Sequence, residues 1–349
     1  MEKIPVYLSL DDVLLLPQRS GIKSRQEVDL SWVVAGRERS VPVIAVNMDD
    51  VVGEKMAMAM SELGGLAILP RFDAPEVQAN KVRKVKRRGG LVAAAVGVKD
   101  GEWERLEQLI QAGVDHVSID VAHGQMVSVI ELVRRVRRKY RRLSLSAGVV
   151  GTYKGARDLF EAGVDVVRVG VGPGTICTTR VQTGTGVPQL TAVMEVARAA
   201  REVGKQVWAD GGIKNSGDIV KCLAAGASAV VVGSLLAGCS ESPGRMVIKD
   251  GVKYKEYRAS TSYEAKKEQV KKYGKDKGKH YVKHVEGVES LVPFRGPVGG
   301  VLEGLMAGVR SGLAYSGARS IEELWRVRKF IQVTAMGIRE NGAHDVVVQ

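Results

Sequence analysis

The chain has 349 residues, of which 45% are hydrophobic and 26% are charged. It contains no run of about 18 apolar residues, so we expect no membrane span, and residues 1–5 resemble neither a signal nor a transit peptide. Its 3 cysteines, at unrelated spacings, suit neither a disulfide framework nor a zinc site. We therefore expect a cytoplasmic protein with one large α/β domain over residues 1–349.

The net charge of +13 is concentrated in residues 81–88, 134–142 and 266–283. The first two clusters lie on helical patterns, where the simplest interpretation is a solvated face. The alternative is attraction of anions such as nucleotides or RNA. Aromatic residues make up only 5% of the chain, which counts against single-stranded nucleic acid as the main ligand.

Eight short β-rich runs recur, each followed by a helical pattern or a loop: residues 42–46, 65–70, 91–98, 116–121, 143–149, 164–171, 206–210 and 228–233. Amphipathic helical segments lie between them: 53–63, 103–112, 126–140, 156–162, 192–203 and 216–225. Eight such units predict a (β/α)8 TIM barrel. A doubly wound parallel sheet is the main alternative.

In such a barrel the chemistry lies where strands end and loops begin. Asp120 follows the fourth run, a glycine-rich turn follows the sixth, and Asp210 and Gly233 close the seventh and eighth. Glycine turns after the last two strands are a common phosphate site. Residues 173–191 and 239–300 exceed ordinary loop lengths, so we expect an active-site loop and a mobile flap there.

Cys177 stands in the turn Gly172-Pro173-Gly174-Thr175-Ile176-Cys177, directly after an apolar strand. Cys222, by contrast, lies within a periodic apolar segment that is typical of a structural residue. Glycines allow the backbone to approach a ligand closely, and a reactive cysteine needs such an open setting. We therefore interpret Cys177 as a nucleophile; an ordinary strand-to-loop turn is the alternative.

Several motifs resemble the IMP dehydrogenase/GMP reductase family. They are the segments 172–180 (GPGTICTTR), 183–189 (TGTGVPQ), 210–213 (DGGI) and 232–238 (VGSLLAG), together with 10–17 (LDDVLLLP) near the start and 308–312 (GVRSG) and 315–318 (YSGA) near the end. The resemblance covers nearly the whole chain and follows barrel order. It implies a TIM-barrel oxidoreductase of purine metabolism that binds GMP or IMP, uses NADPH or NAD and assembles as a homotetramer.

The resemblance also assigns roles to individual residues. Cys177 would attack C2 of the purine, and Thr179 and Glu286 would handle protons. Substrate would bind at Thr175, Asp210, Gly211, Gly212, Gly233, Ser234 and Tyr257, with Asp210 on the ribose. The nicotinamide cofactor would meet Asp120, Gly170 and Gly172, and potassium would bind to the backbone carbonyls of Gly172, Gly174 and Cys177.

Alternatives remain for three of these residues. Asp120 and Ser234 could each instead cap a helix, and Glu286 could be a solvated glutamate, since its spacing alone favours neither interpretation. A protein that kept the nucleotide-binding or RNA-binding barrel but lost turnover is a further alternative. The presence of Cys177, Thr179 and Glu286 together argues against it.

The family catalyses two reactions through one covalent intermediate. Dehydrogenases hydrolyse it with an Arg-Tyr pair in the flap, where this chain has Lys272-Tyr273. This change favours GMP reductase, with IMP dehydrogenase as the alternative, since segments 209–218 and 241–244 look at least as much like the dehydrogenase branch. We expect no CBS domain, because segment 83–88 leads directly into 89–91. Val149 and residues 259–261 depart from both branches.

Overall fold

A computed structural model describes residues 4–273 and 282–342, except for the side chains of 271–273. The strands run in chain order as β1 Val13–Leu15, β2 Trp32–Val34, β3 Arg37–Arg39, β4 Val43–Ala45, β5 Leu66–Leu69, β6 Ala93–Val96, β7 His116–Asp120, β8 Ser144–Val150, β9 Val166–Val169, β10 Gln206–Asp210, β11 Ala229–Val232, β12 Met246–Lys249, β13 Val252–Arg258, β14 Glu289–Pro293 and β15 Phe330–Gln332.

Strands β4 to β11 form a closed, all-parallel barrel in which β11 pairs with β4. These are the eight runs predicted from the sequence, so the TIM barrel is confirmed and the doubly wound alternative is wrong. The barrel strands are mostly buried on both faces, as in Val-Val-Val of β11, which explains their continuous apolar character.

The helices are α1 Glu54–Glu62, α2 Pro75–Arg87, α3 Glu102–Gln111, α4 Val127–Lys139, α5 Tyr153–Ala162, α6 Thr179–Thr183, α7 Gln189–Glu202, α8 Ser216–Ala225, α9 Ser234–Ala237, α10 Tyr263–Tyr273, α11 Val298–Tyr315, α12 Ile321–Val327 and α13 Ala335–Arg339. Helices α5 and α8 end at the left-handed residues Gly163 and Gly226, which is the predicted Ala-Gly stop. No helix of the described residues has both the length and the apolar character that a membrane crossing requires.

The floor of the barrel is sealed by the β2–β3 hairpin. Trp32 reaches inward and meets Trp208 of β10 edge-on, with ring centroids 6.0 Å apart. His116, the first residue of β7, lies beside the Trp208 ring at 4.8 Å. Its two ring nitrogens are each 2.8 Å from a serine hydroxyl of β8. Packed and hydrogen-bonded side chains therefore fill the floor of the barrel.

The two segments expected to be long loops contain regular structure. Residues 173–191 include the short helix α6 and the start of α7. Helix α7 begins at Gln189, three residues before the helical segment 192–203 that the sequence predicts. Residues 239–300 include the antiparallel sheet β12–β13–β14 and helix α10. We keep the name flap for residues 239–300. The sequence pattern missed the flap sheet because its longest strand, β13, is Val-Lys-Tyr-Lys-Glu-Tyr-Arg, and lysine and glutamate are depleted in strands.

Candidate active site

Cys177 lies at the mouth of the barrel, in the turn after β9. Its thiol donates a hydrogen bond to the Thr179 hydroxyl (3.2 Å), and that hydroxyl donates to Glu286 Oε2 (2.7 Å). The three residues predicted to be catalytic therefore form one continuous line of donors from thiol to carboxylate. Such a line can carry a proton away from a nucleophile and return it to a leaving group.

Backbone pairing between the turn and the flap brings these residues together. Cys177 and Gly287 form an isolated antiparallel bridge. Thr178 N–H donates to the Glu286 carbonyl at 3.0 Å, and Val288 N–H donates to the Ile176 carbonyl at 3.0 Å. A Cβ at position 287 would collide with the Ala259 side chain. Glycine at 287 is therefore what allows the flap to lie against the nucleophile.

The three cysteines differ in their surroundings. Cys177 is only partly buried, whereas Cys222 and Cys239 are fully buried. Burial raises the pKa of Cys222 far above its ordinary value and, with the nearby Glu241, raises the pKa of Cys239 to about 12. Because the thiolate is the nucleophile, the structural role predicted for Cys222 agrees with its burial, and Cys239 is shielded in the same way.

A buried arginine organises the centre of the mouth. Arg168 of β9 is 2% exposed, and its guanidinium donates to Asp210 Oδ2 (2.6 and 3.0 Å) and to Asp120 Oδ1 (3.1 Å). It also donates to Ser118 (3.0 Å) and to the Asn47 amide oxygen (2.9 Å). The two predicted binding carboxylates are thus neighbours through one shared cation.

The charges of this network support one another. Burial alone would lower the pKa of Arg168, but the carboxylates of Asp210 and Asp120 outweigh it and raise the pKa. Burial raises the pKa of Asp210, and the Arg168 guanidinium reduces that rise. Charge-assisted hydrogen bonds from a guanidinium that is shielded from water hold both carboxylates in fixed positions. Asp120 therefore faces the mouth as a tethered acceptor, and the helix-cap alternative lacks support, since α4 begins after Met126.

Hydroxyl groups from three segments converge beside the turn. Thr175 and Ser234 face each other, with their oxygens 3.4 Å apart. Tyr257 of β13 is 5% exposed, and its hydroxyl lies against Gly233, where a Cβ would collide with it. Donors from separate segments around glycine backbone suit an anion such as a phosphate.

Two glycine turns pack tightly on each other at the same place. Gly211 and Gly212 have φ of +85° and +77°, and a Cβ at Gly211 would lie 3.2 Å from the Pro173 ring. At Gly170, a Cβ would collide with the Asp210 carbonyl. These glycines bring the turn after β9 close to the end of β10, so predicted substrate and cofactor residues line one recess.

Sequence reasoning missed several residues that support the site. Gln189 is buried, and its amide donates to the Val169 carbonyl (2.9 Å) and the Asp210 carbonyl (3.2 Å). Asp50 accepts from the Arg258 backbone N–H (3.1 Å), and the Arg258 guanidinium continues to Glu268 of α10 with two bonds of 2.9 Å. This Asp50–Arg258–Glu268 link fastens α10 to the barrel next to Tyr257.

The lysine-rich part of the flap is not uniformly solvated. Lys266 of α10 is 6% exposed, and its ammonium donates to the His284 carbonyl. Burial lowers the pKa of Lys266, while the nearby Glu286 carboxylate opposes that change. Lys266 is therefore a buried support of the segment that carries Glu286. Lys272 and Tyr273 end α10, and their side chains lie outside the described residues.

The predicted potassium site consists of backbone carbonyls at Gly172, Gly174 and Cys177. The Gly174 carbonyl accepts the Cys177 N–H at 3.0 Å, and Gly172 has a φ of +74°. No group of three or more metal-ligating side chains occurs among the described residues. Potassium binding to these carbonyls stays a prediction.

Comparison with known proteins gives a consistent picture. The sequence model of the IMP dehydrogenase/GMP reductase domain matches residues 7–344. The chain is 47% identical to inosine-5'-monophosphate dehydrogenase from Aquifex aeolicus over 74% of this chain and 52% of that protein. It is 33% identical to the inosine-5'-monophosphate dehydrogenase of Nitrosopumilus maritimus, with 98% of both proteins covered.

A crystal structure of GMP reductase from Trypanosoma brucei with guanosine 5'-monophosphate has a TM-score of 0.92 to this chain, at 30% identity over 99% of each. The chain spans about half the length of several curated relatives, 52% for Aquifex aeolicus and 53% for Bacillus subtilis. Sequence and fold agree over nearly all of the chain. The chain belongs to the IMP dehydrogenase/GMP reductase family of NAD(P)-dependent oxidoreductases.

Proposed function

We propose that the chain is a GMP reductase, which converts GMP to IMP and ammonia with NADPH through a covalent bond to Cys177. The observation that carries this proposal is the unbroken hydrogen-bond line from Cys177 through Thr179 to Glu286. It supplies both the nucleophile and the proton carrier that replacement of an amino group requires.

The first step joins the Cys177 sulfur to purine C2. The thiol proton passes through the Thr179 hydroxyl to the Glu286 carboxylate, the sulfur forms its bond to C2, and the C2–N bond breaks. Glu286 returns the proton through Thr179 to the departing amine, which leaves as ammonia. Atoms and charge balance without an outside acid.

The second step restores the free cysteine. A reduced nicotinamide bound beside Cys177 would supply the hydride to C2. The C2–S bond then breaks, and Cys177 leaves as a thiolate while IMP is released. Asp120 suits a ribose of that cofactor because Arg168 at 3.1 Å and Arg71 at 3.7 Å hold its carboxylate at the mouth with 21% of its side chain exposed. Gly170 and Gly172 let the turn beside Cys177 pack closely against the Asp210 carbonyl and the Arg180 side chain.

The remaining residues hold the nucleotide. We assign the ribose hydroxyls to Asp210, whose carboxylate is fixed by Arg168. We assign the 5′-phosphate to Thr175, Ser234 and Tyr257 and to the backbone at Gly212 and Gly233, with Gly211 shaping the turn. Binding energy from these distant groups positions C2 against the sulfur.

IMP dehydrogenase is the second candidate, favoured by the 47% identity to the Aquifex aeolicus enzyme of that name. It would use the same Cys177 bond but deliver water to C2 after hydride had left. Lys272 stands where the dehydrogenases of the family have the arginine of their Arg-Tyr pair, and this departure supports the reductase. Glu286 would then have to activate the water.

Two assays on one preparation decide between the reactions. The protein is incubated with GMP and NADPH, and separately with IMP and NAD, while nicotinamide absorbance is followed and products are separated by chromatography. We expect IMP from the first mixture and little or no XMP from the second. Rapid XMP formation would establish the dehydrogenase, and no reaction in either mixture would favour a binding protein without turnover. Lys272→Arg restores the arginine of the dehydrogenase pair and so tests whether this residue alone decides the reaction. We expect this variant not to be an efficient dehydrogenase.

A further inference from the structure

Two of the basic clusters lie on the side of the barrel opposite the mouth. Segments 84–88 and 137–142 contain the last turns of α2 and α4 and the residues that directly follow them, and the chain then enters the N-terminal ends of barrel strands. Their ion pairs confirm this position: Lys86 contacts Asp115 at 2.7 Å, and Arg137 contacts Asp165 at 2.7 Å. Asp115 directly precedes β7 and Asp165 precedes β9.

These two segments carry nine lysine and arginine residues and no acidic residue. Four of the nine have acidic partners, which are Glu54, Asp115, Asp165 and Glu107. The other five are exposed and have no ion pair within the described part of the chain: Arg87, Arg88, Arg138, Arg141 and Arg142. We call these five residues the free arginines.

Attraction of the mononucleotide substrate does not explain the free arginines. Cys177, Thr175 and Asp210 all follow the C-terminal ends of strands, so the whole barrel lies between them and this face. Exposed charges act over about 10 Å at 0.1 M salt. The positive potential is therefore directed away from the active site, toward something that meets the opposite face.

The face is also concave. A cavity of about 510 Å³ lies between the β2–β3 turn at Val33–Gly36 and the loop with Arg142 and Leu143. Its two carboxylates are already neutralised, since Asp115 contacts Lys86 and Arg37 (3.9 Å) and Asp165 contacts Arg137 and Lys205. Of the free arginines, Arg142 lines this cavity, whose own carboxylates are balanced.

We infer that the floor face binds the phosphate backbone of a nucleic-acid duplex without regard to sequence. Arginine presents a planar fork of donors that matches phosphate oxygens in pairs, and all five free cations are arginines. The nearby aromatic residues Trp103 and Tyr140 already contact each other and the cations of Arg135 and Lys139, so phosphate contacts rather than stacked bases carry the interaction. The surface belongs to packed helix ends and is therefore present before binding.

The test measures binding of a fluorescent duplex of about 20 base pairs by anisotropy over a series of salt concentrations. Neutralising several phosphates should give a dissociation constant that rises steeply with salt, with a log–log slope of about 4 to 5 for five arginines. The triple variant Arg138→Gln, Arg141→Gln, Arg142→Gln should bind at least about 10-fold more weakly and lose about 3 units of slope.

The matched control removes three exposed cations elsewhere, Lys23→Gln, Lys249→Gln and Lys253→Gln, and should change binding less than about twofold. Equal melting temperatures of both variants show that they are folded. Three results would overturn the inference: no duplex binding at about 0.1 M salt, equal loss in the control variant, or preferential binding to anionic phospholipid vesicles over the duplex. None of these readouts depends on which purine reaction the mouth catalyses.

Discussion

The mouth and the floor of the barrel both contain side chains from strands β7 and β10, but the charges of these side chains differ between the two ends. β7 contributes His116 to the floor and Asp120 to the mouth, and β10 contributes Trp208 and Asp210 in the same order. At the mouth, Asp120 and Asp210 share the guanidinium of Arg168. At the floor, burial lowers the pKa of His116 to about 3, so the ring is neutral and bonded to serines.

This difference shows that burial alone does not mark a functional residue. Both groups are inside the barrel, but only the mouth groups combine charge with an opening to solvent. Perturbed titration at the floor comes from desolvation of a structural histidine. At the mouth it comes with opposite charges positioned around a recess, which is the arrangement a polar ligand needs.

Loss of Cys177 should have the largest effect. Cys177→Ala removes the atom that bonds to C2, so we expect turnover to fall by at least about 1,000-fold, while nucleotide affinity changes little because ribose and phosphate contacts are made elsewhere. Turnover and calorimetric binding are compared with Cys222→Ala, which should remain active. Near-normal activity of Cys177→Ala would refute the nucleophile assignment.

Replacing Arg168 at the mouth and Trp208 at the floor should show which end of the barrel contributes to nucleotide binding and which contributes only to stability. Arg168→Leu leaves Asp120 and Asp210 buried without their cation and should cost about 3 to 5 kcal/mol of unfolding free energy, together with a large loss of nucleotide affinity. Trp208→Ala should cost a similar amount through its cavity yet retain affinity in the folded fraction. Denaturant unfolding and nucleotide titration measure both. Unchanged affinity in Arg168→Leu would show that the network serves stability only.

Acid should destabilise the protein through the floor. His116 stays neutral in the folded state down to a pKa of about 3, against 6.5 for the free side chain, so the unfolded chain binds the proton first as pH falls. The contribution is complete above pH 6.5 and falls by up to about 1.4 kcal/mol per pH unit below it.

His116→Gln keeps the hydrogen-bonding capacity without the titration, so its unfolding free energy should depend less on pH between about 6 and 4. The exposed His123→Gln serves as the control. An identical pH dependence in all three proteins would mean that His116 titrates normally.

Salt should have the smallest effect and should act at the mouth alone. Lys267→Gln with Lys283→Gln removes flap charges, and we expect about a twofold lower kcat/KM at low ionic strength that disappears near 0.5 M salt. Arg141→Gln with Arg142→Gln on the floor should leave kcat/KM unchanged. If kcat/KM of the unaltered protein does not vary with salt, the flap lysines only solubilise the surface.

The sequence predicts the barrel well because each strand is a short, mostly apolar run, and all but β4 and β5 are closed by a glycine or an aspartate. The resemblance to the family likewise predicts Thr179 and Glu286 as partners of Cys177, and the structure brings the three residues together. The sequence analysis missed Arg168. Its charge within the apolar strand Val-Val-Arg-Val is nevertheless a usable signal, because the two-residue alternation of a strand places this side chain in the barrel interior.

Other features could not be read from local pattern. Lys266 looks like one of many surface lysines, and only tertiary packing of α10 against the segment at His284 buries it. The Asp50 to Arg258 link joins residues 208 positions apart, so no window of sequence contains it. Contacts of this range depend on the assembled fold.

The unequal thiols have a practical consequence for covalent chemistry. Cys222 and Cys239 are shielded and keep their protons, whereas Cys177 is only partly buried and lies beside the residues proposed to bind the nucleotide. A purine nucleotide with a halogen at C2 would therefore be a site-directed label. It should add one adduct per chain, and tandem mass spectrometry would find that adduct on the peptide containing Cys177, which makes this position a handle for selective inhibitors.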